Sequence, residues 1–249
     1  VTAGLHLGRL LGQRSMQLPF AECFRTIQGE GPATGRQAVF VRLGLCNLAC
    51  RWCDSAFTWD ASRFDLAEEI PDTQVAAIVE QATSFGVPLF VLTGGEPLMH
   101  QRKPAMDALL AGLTAAGEVH VETNGTIPPS GSVVELVAHF TVSPKLANNG
   151  ADTAKRRIRP KALARFAEIA ATGRACFKFV ATTREDLDEI AAVVDEHQVP
   201  AGAVWVMPEG VTPEQVLTTH RALVDGVIAR GWNTTSRLHT LLWGEERGR

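Results

Sequence analysis

The sequence predicts an α/β fold, a partial, open (β/α) barrel of about six βα units. Short apolar runs rich in β-branched residues recur along the chain, and helical patterns fill the intervals between them. Several runs are almost continuously apolar rather than alternating, which suits strands buried on both faces of a parallel sheet. No repeat, low-complexity tract or linker breaks the pattern. Residues 16–249 therefore read as a single domain behind an N-terminal extension over residues 1–15.

In chain order, the expected strands are residues 37–43 (QAVFVRL), 88–92 (PLFVL), 118–122 (EVHVE), 139–142 (HFTV), 176–181 (CFKFVA), 203–206 (AVWV) and 239–243 (HTLLW). Between the first two, Val75, Ile78, Val79 and Ala82 share one helical face, with Asp72 or Thr73 as the cap. Helices follow around residues 104–116 and 161–171. Thr183 opens the next, whose apolar face is Leu187, Ile190, Ala191 and Val194; Pro213 opens the last, with Val216, Leu217, Leu223, Val224 and Val227. Seven strands with six or fewer helices fall short of eight units, so an open barrel is expected rather than a closed one. The polar stretch 148–159 (NNGADTAKRRIR) reads as a solvated loop between two units.

With 24 Lys plus Arg against 27 Asp plus Glu, the net charge of −3 offers no broad basic field for nucleic acid. No run approaches the roughly 20 apolar residues that span a bilayer. The expected substrate is small. Residues 1–15 lack a basic start followed by an apolar core, and the five cysteines are too few and too uneven for a disulfide framework. A reducing, cytoplasmic setting is the expectation.

Three of those cysteines are close together. Cys46, Cys50 and Cys53 are spaced C-x3-C-x2-C directly after the strand QAVFVRL, on the kind of loop where barrel active sites sit. A structural zinc wants four ligands, usually in two separated pairs, and would have to recruit Cys23, Cys176 or a histidine. Three thiolates without a second pair favour an iron–sulfur cluster with one iron left open to a small molecule. Cys23 and Cys176 are expected to pack as small buried side chains. Further on, the glycines of Thr93-Gly94-Gly95-Glu96-Pro97 permit close backbone approach, and the Glu96 carboxylate can accept hydrogen bonds near an ammonium.

The triad and the GGEP segment after the next strand resemble the signatures of the radical S-adenosylmethionine (SAM) enzymes. Within them the chain is similar to the 7-carboxy-7-deazaguanine synthases from residue 18 nearly to its end. The motifs that carry this resemblance are FRTIQGEG at 24–31, Arg42, CDSAFTW at 53–59, ETNG at 122–125, Ser143-Pro144-Lys145 and LHTLLWGEERG at 238–248. The resemblance implies a radical SAM-type partial barrel. It also implies conversion of 6-carboxy-5,6,7,8-tetrahydropterin to 7-carboxy-7-deazaguanine with loss of ammonia, through hydrogen abstraction at carbon 6, ring contraction and regeneration of SAM. The implied cofactors are a 4Fe-4S cluster on Cys46, Cys50 and Cys53, SAM, and Mg2+ held partly by Ser55. The implied partners are a homodimer mate and an electron donor such as flavodoxin.

By the same resemblance Ile27, Gln28, Gly29, Glu30, Arg42, Thr93 and His239 face the pterin. Trp52, Cys53, Asp54, Gly95, Glu96, Glu122, Asn124, Ser143, Pro144, Lys145 and Lys178 face SAM. The residues themselves leave alternatives. Arg42 interrupts an apolar strand and needs an anion, either the substrate carboxylate or a structural partner such as Asp54 or a neighbouring acid. Lys178 is either a SAM-side charge or a snorkelling lysine. Glu122 and Asn124 could simply build an Asn-Gly turn, and Ser55 could cap a turn. An activase that places a glycyl radical on a protein, or a zinc-stabilised binding module, remains as an alternative; FRTIQGEG and CDSAFTW argue against the activase.

Overall fold

The computed structural model describes residues 16–244 and 246–249, so the expected extension over residues 1–15 lies outside the described residues. The strands are β1 (Gln17–Ile27), β2 (Gln37–Leu43), β3 (Asp72–Gln74), β4 (Leu89–Gly94), β5 (Glu118–Thr123), β6 (His139–Val142), β7 (Ala175–Ala181), β8 (Val204–Pro208) and β9 (Asn233–Thr234). Among the described residues they form one sheet in the order β3-β1-β2-β4-β5-β6-β7-β8-β9. From β2 to β9 all neighbours are parallel, whereas β1 runs antiparallel to both β2 and β3. The terminal strands β3 and β9 do not pair with each other, so the barrel is open, as the alternation of runs predicts.

The parallel strands bury both faces, and β7 is buried along its whole length. Phe90, Phe140, Phe177 and Phe179 from the strands share one buried core with Phe166 of the helix Pro160–Ala171, whose ring centre lies 5.7 Å from that of Phe140. The helix Arg184–Glu196 starts at Thr183 with a reciprocal capping box to Asp186, and Pro213–Ala229 starts at Thr212 with one to Gln215. These caps fix where each helix leaves the loop that follows a strand. The functional loops therefore gather at one end of the sheet.

Three expectations are corrected. Residues 239–243 are not a strand but belong to the helix Leu238–Trp243, which Gly244 ends at φ 65°. A short leucine-rich run satisfies either period, and leucine favours helix. Asp72 and Thr73 do not cap the helix Val75–Ser84; they form β3, and Gln74 takes the N-cap position. The long strand β1 was not expected, because Pro19, Glu22 and Arg25 break its apolar pattern. Cys23 and Cys176 are buried, and burial pushes their thiols up to about 12 and about 11.

At the amino-terminal ends of the strands, His120 and His139 lie 5.3 Å apart between ring centres. Glu118 accepts from His120 at 2.7 Å and pairs with Arg36 at 2.6 Å, while Nε2 of His139 has no hydrogen-bond partner. Burial, and then the neighbouring His120, pushes the His139 imidazole down from 6.5 to about 4. The unfolded chain takes this proton near 6.5 and the folded chain only near 4, so the stability it contributes is full above 6.5 and lost as pH falls to 4. His139→Leu is expected to flatten that acid limb by about 1–2 kcal/mol, allowing for the half-buried ring. Melting curves from pH 7 to 4 test this, and superimposable acid limbs would refute it.

Candidate active site

A cavity of about 400 Å³ opens at the carboxyl ends of the parallel strands. Its wall brings together Ile27, Gln28, Gly29, Glu30, Arg42, Cys46, Cys50, Trp52, Cys53, Asp54, Ser55, Thr93, Gly95, Glu122, Asn124, Ser143, Lys145, Lys178 and His239. Of the expected site residues, Glu96 and Pro144 are buried behind the wall instead.

The thiol loop leaves β2 through Leu45, which adopts φ 71° and is pinned by two backbone bonds, Leu45 N to Thr58 O and Glu96 N to Leu45 O, both 2.8 Å. Gly95 makes this approach possible, since a Cβ there would stand 2.0 Å from the Leu45 carbonyl oxygen. Each sulfur then meets a donor. Cys46 Sγ accepts from Leu48 N (3.5 Å) and Asn124 Nδ2 (3.9 Å), Cys50 Sγ from Asn149 Nδ2 (3.5 Å), and Cys53 Sγ from Trp59 Nε1 (3.3 Å). Burial pushes the Cys46 thiol up to about 12 and raises that of Cys50. Ser55 is buried, with its hydroxyl 3.7 Å from Cys53 Sγ.

The stretch 148–159 is not merely a solvated loop. Asn149 and Asp152 are buried beneath the thiol loop, where Asp152 accepts from Ala49 N at 2.8 Å and from Asn149 Nδ2 at 3.0 Å. Trp52 donates to the Asn148 carbonyl at 3.0 Å, and the Lys145 ammonium stands 5.6 Å from the centre of its ring. Glu96 does not face the cavity because its oxygens are used internally, by Leu98 N (3.0 Å), Thr123 Oγ1 (2.9 Å) and Asn124 N (2.6 Å). Burial pushes this carboxyl up to about 6 even against those bonds. Its role is to tie the GGEP turn to the end of β5.

On the other side of the cavity Glu122 accepts from Gln28 Nε2 (3.0 Å) and Thr93 Oγ1 (2.9 Å). It therefore groups with Gln28 and Thr93, expected at the pterin, rather than with the SAM-facing set in which it was expected or in a turn. Lys178 neither snorkels nor points to the thiol side: it is buried and ion-paired with Glu30. Arg237 and His239 approach the same carboxylate at 3.6 and 3.8 Å. Burial alone would raise Glu30, but the Lys178, His239 and Arg237 charges outweigh it and hold the carboxyl well below the usual range. Asp54 pairs with Arg237 at 2.5 Å, so it is not the partner of Arg42; that partner is Glu22, at 2.8 Å.

Residues 41–223 match the model of the Radical SAM superfamily. The chain is 37% identical to the 7-carboxy-7-deazaguanine synthase of Pyrobaculum aerophilum, over 92% of this chain and 96% of that one. With the synthase of the same name from Hyperthermus butylicus the identity is 35%, over 90% and 92%. The chain belongs to the 7-carboxy-7-deazaguanine synthase family. The crystal structure of QueE from Escherichia coli superposes with a TM-score of 0.65 at 25% identity, covering 92% of this chain and 98% of that one.

Enzymes of this radical SAM family use a 4Fe-4S cluster, SAM and Mg2+. The thiols here fit the cluster: three line one cavity, and each sulfur receives an N–H donor of the kind that tunes such a centre. Cys23 and Cys176, the thiols that a zinc site would have to recruit, are buried and do not line this cavity. Ser55 offers a hydroxyl oxygen of the hard type that Mg2+ takes.

Glu22, Trp59, Asn149, Asp152, Arg237 and Arg247 were not singled out from sequence. Trp59 lies within the CDSAFTW segment and was within reach. Arg247 lies within LHTLLWGEERG, although its partners Glu22 and Glu69 are 225 and 178 residues away; the others act across long sequence separations that no local pattern marks.

Proposed function

We propose that this chain converts 6-carboxy-5,6,7,8-tetrahydropterin to 7-carboxy-7-deazaguanine with release of ammonia, in deazapurine biosynthesis of the queuosine type. The observation that carries this reading is the cavity itself, with a triad of thiols on one side and the set Gln28, Thr93 and Glu122 on the other. When bound, the cluster and SAM supply the hydrogen-abstracting radical, and Mg2+ supplies a cation for oxygen ligands.

The chain's own side chains position the substrate. Gln28 and Thr93 orient Glu122, whose carboxylate retains lone pairs for the N–H edge of a pterin. Arg42 engages Glu22 through Nε only, and its terminal nitrogens suit the substrate carboxylate. Ser55 would give Mg2+ one hydroxyl oxygen on the same cavity wall. Trp52 and Phe57 keep water from the reacting carbon. Lys145 and Ser143, bonded at 2.8 Å, suit the carboxylate of SAM.

For partners, Arg51 is exposed on the thiol loop and Lys155, Arg159 and Lys161 are exposed along the stretch that follows Asp152, and none has an ion-pair partner among the described residues. Such a patch suits an acidic electron donor such as flavodoxin. The homodimer rests on the family resemblance, and a reducing, cytoplasmic setting on the free thiols.

The test is anaerobic reconstitution followed by incubation with SAM, reductant, Mg2+ and the carboxytetrahydropterin, with mass spectrometry of the products. Product is expected in wide excess over deoxyadenosine, because SAM is regenerated; one deoxyadenosine per product would count against the reading. Ser55→Ala is expected to shift the Mg2+ titration of the rate upward by roughly tenfold, as loss of a single oxygen ligand to a weakly held ion predicts. An unchanged titration would move the metal elsewhere.

A further inference from the structure

Glu22 sits between two guanidinium groups, and only one of them belongs to the sheet. On β1 it faces Arg42 of β2 as a cross-strand pair, and Arg42 Nε donates to Glu22 Oε1 at 2.8 Å. The other oxygen, Oε2, accepts from Nε of Arg247 at 2.8 Å. Arg247 is fixed from two further sides. Its Nη1 donates to Glu69 at 3.1 Å, and its guanidinium carbon lies 3.6 Å from the centre of the Phe57 ring. The terminal nitrogens of Arg42 have no hydrogen-bond partner among the described residues.

This arrangement decides what Arg42 can do. A carboxylate beside a lone arginine favours the two-bond fork, in which both oxygens engage the guanidinium and cancel its charge locally. With Arg247 occupying Oε2, Glu22 is left a single bond to Arg42, through Nε. The Nη groups of Arg42 then stay available on the cavity wall, and because Glu69 shares the charge of Arg247 with Glu22, the guanidinium edge of Arg42 is left under-compensated toward an anion.

We propose that Arg247 is a positioning residue for substrate binding: by holding one oxygen of Glu22 it keeps the terminal nitrogens of Arg42 turned to the substrate carboxylate. The inference rests on the proposed role of Arg42 as the partner of that carboxylate. Glu69 and Phe57 in turn anchor Arg247, so the loop after the cysteine triad and the segment around residue 69 both bear on the substrate's anionic group.

Steady-state kinetics of the reconstituted full chain test it, with cluster content measured on every variant. Arg247→Ala is expected to raise KM for the pterin about tenfold while kcat changes less than about twofold, the signature of lost ground-state binding. Arg247→Lys, which retains a cation for Glu22, should recover most of that loss. Glu69→Gln loosens Arg247 from outside the cavity and should raise KM by a smaller factor, about threefold. In the Arg42→Ala background, Arg247→Ala should add almost nothing, because the two act through one contact. An unchanged KM in Arg247→Ala, beside a raised KM in Arg42→Ala, overturns the role of Arg247 alone. So does an equal penalty from Arg247→Ala in both backgrounds. A normal KM in Arg42→Ala removes the carboxylate reading of Arg42 itself, and this inference falls with it.

Discussion

Alanine at any one of Cys46, Cys50 or Cys53 is expected to abolish cluster retention and product formation together, whereas Cys23→Ala and Cys176→Ala keep both. The three thiols share the cavity wall and each accepts an N–H bond, while Cys23 and Cys176 are buried in the sheet away from it. A cluster held by three protein ligands has none in reserve, so one loss frees an iron to solvent and the centre falls apart. The donors behind the sulfurs should matter less. Asn149→Ala removes the 3.5 Å contact to Cys50 and one of the bonds that seat Asp152 under the loop, so a weakened, partly loaded cluster is expected. Iron and sulfide content and the visible spectrum of the anaerobic protein measure both effects. Cluster loss in Cys23→Ala would show that the ligand set has been misjudged.

The contrast between what was and was not legible follows from sequence distance. The triad is readable because all its members lie within eight residues and follow a strand whose bounds, Gln37–Leu43, match its apolar run. The strand His139–Val142 is equally plain, and β4, β5, β7 and β8 start and end within two residues of their runs, whereas the two-residue β9 matches no expected run. β1 was hidden because an antiparallel edge carrying Glu22 and Arg25 shows no clean alternation. The segment Leu238–Trp243 was misread because its leucines serve either period, and only the bond from Leu238 N to Gly29 O fixes its place against the QGEG turn. That contact needs Gly29, since a Cβ there would stand 2.3 Å from His239 Nδ1. The charge network was invisible for a different reason. Lys178 and Glu30 are 148 residues apart, and Arg237 and Asp54 are 183 apart. Composition reveals that such charges exist; only the folding of the sheet decides which of them meet.

That folding sets Glu30 among three basic side chains, and the stability of the cavity depends on it. Its carboxylate faces the buried Lys178, Arg237 at 3.6 Å and His239 at 3.8 Å; Arg237 also bonds a second acid, Asp54, whereas Glu122 reaches Lys178 only through space. Glu30→Gln leaves Lys178 buried without a directly bonded anion, and breaking one side of a buried pair costs about 3–5 kcal/mol. The expected result is a denaturation midpoint well below that of the parent chain. Glu30→Gln combined with Lys178→Met should recover most of the loss, because an apolar side chain of similar length needs no counter-charge. The acid limb supplies a second measurement. Because the folded Glu30 carboxyl lies well below its unfolded value of 4.5, its contribution is full above 4.5 and lost as pH falls below it. The Glu30→Gln chain should lack that part of the acid sensitivity and, being weaker at neutral pH, converge on the parent chain in acid. A Glu30→Gln midpoint equal to that of the parent at pH 7 would mean that Lys178 finds water or Glu122 instead, and that the pair with Glu30 carries no stability of its own.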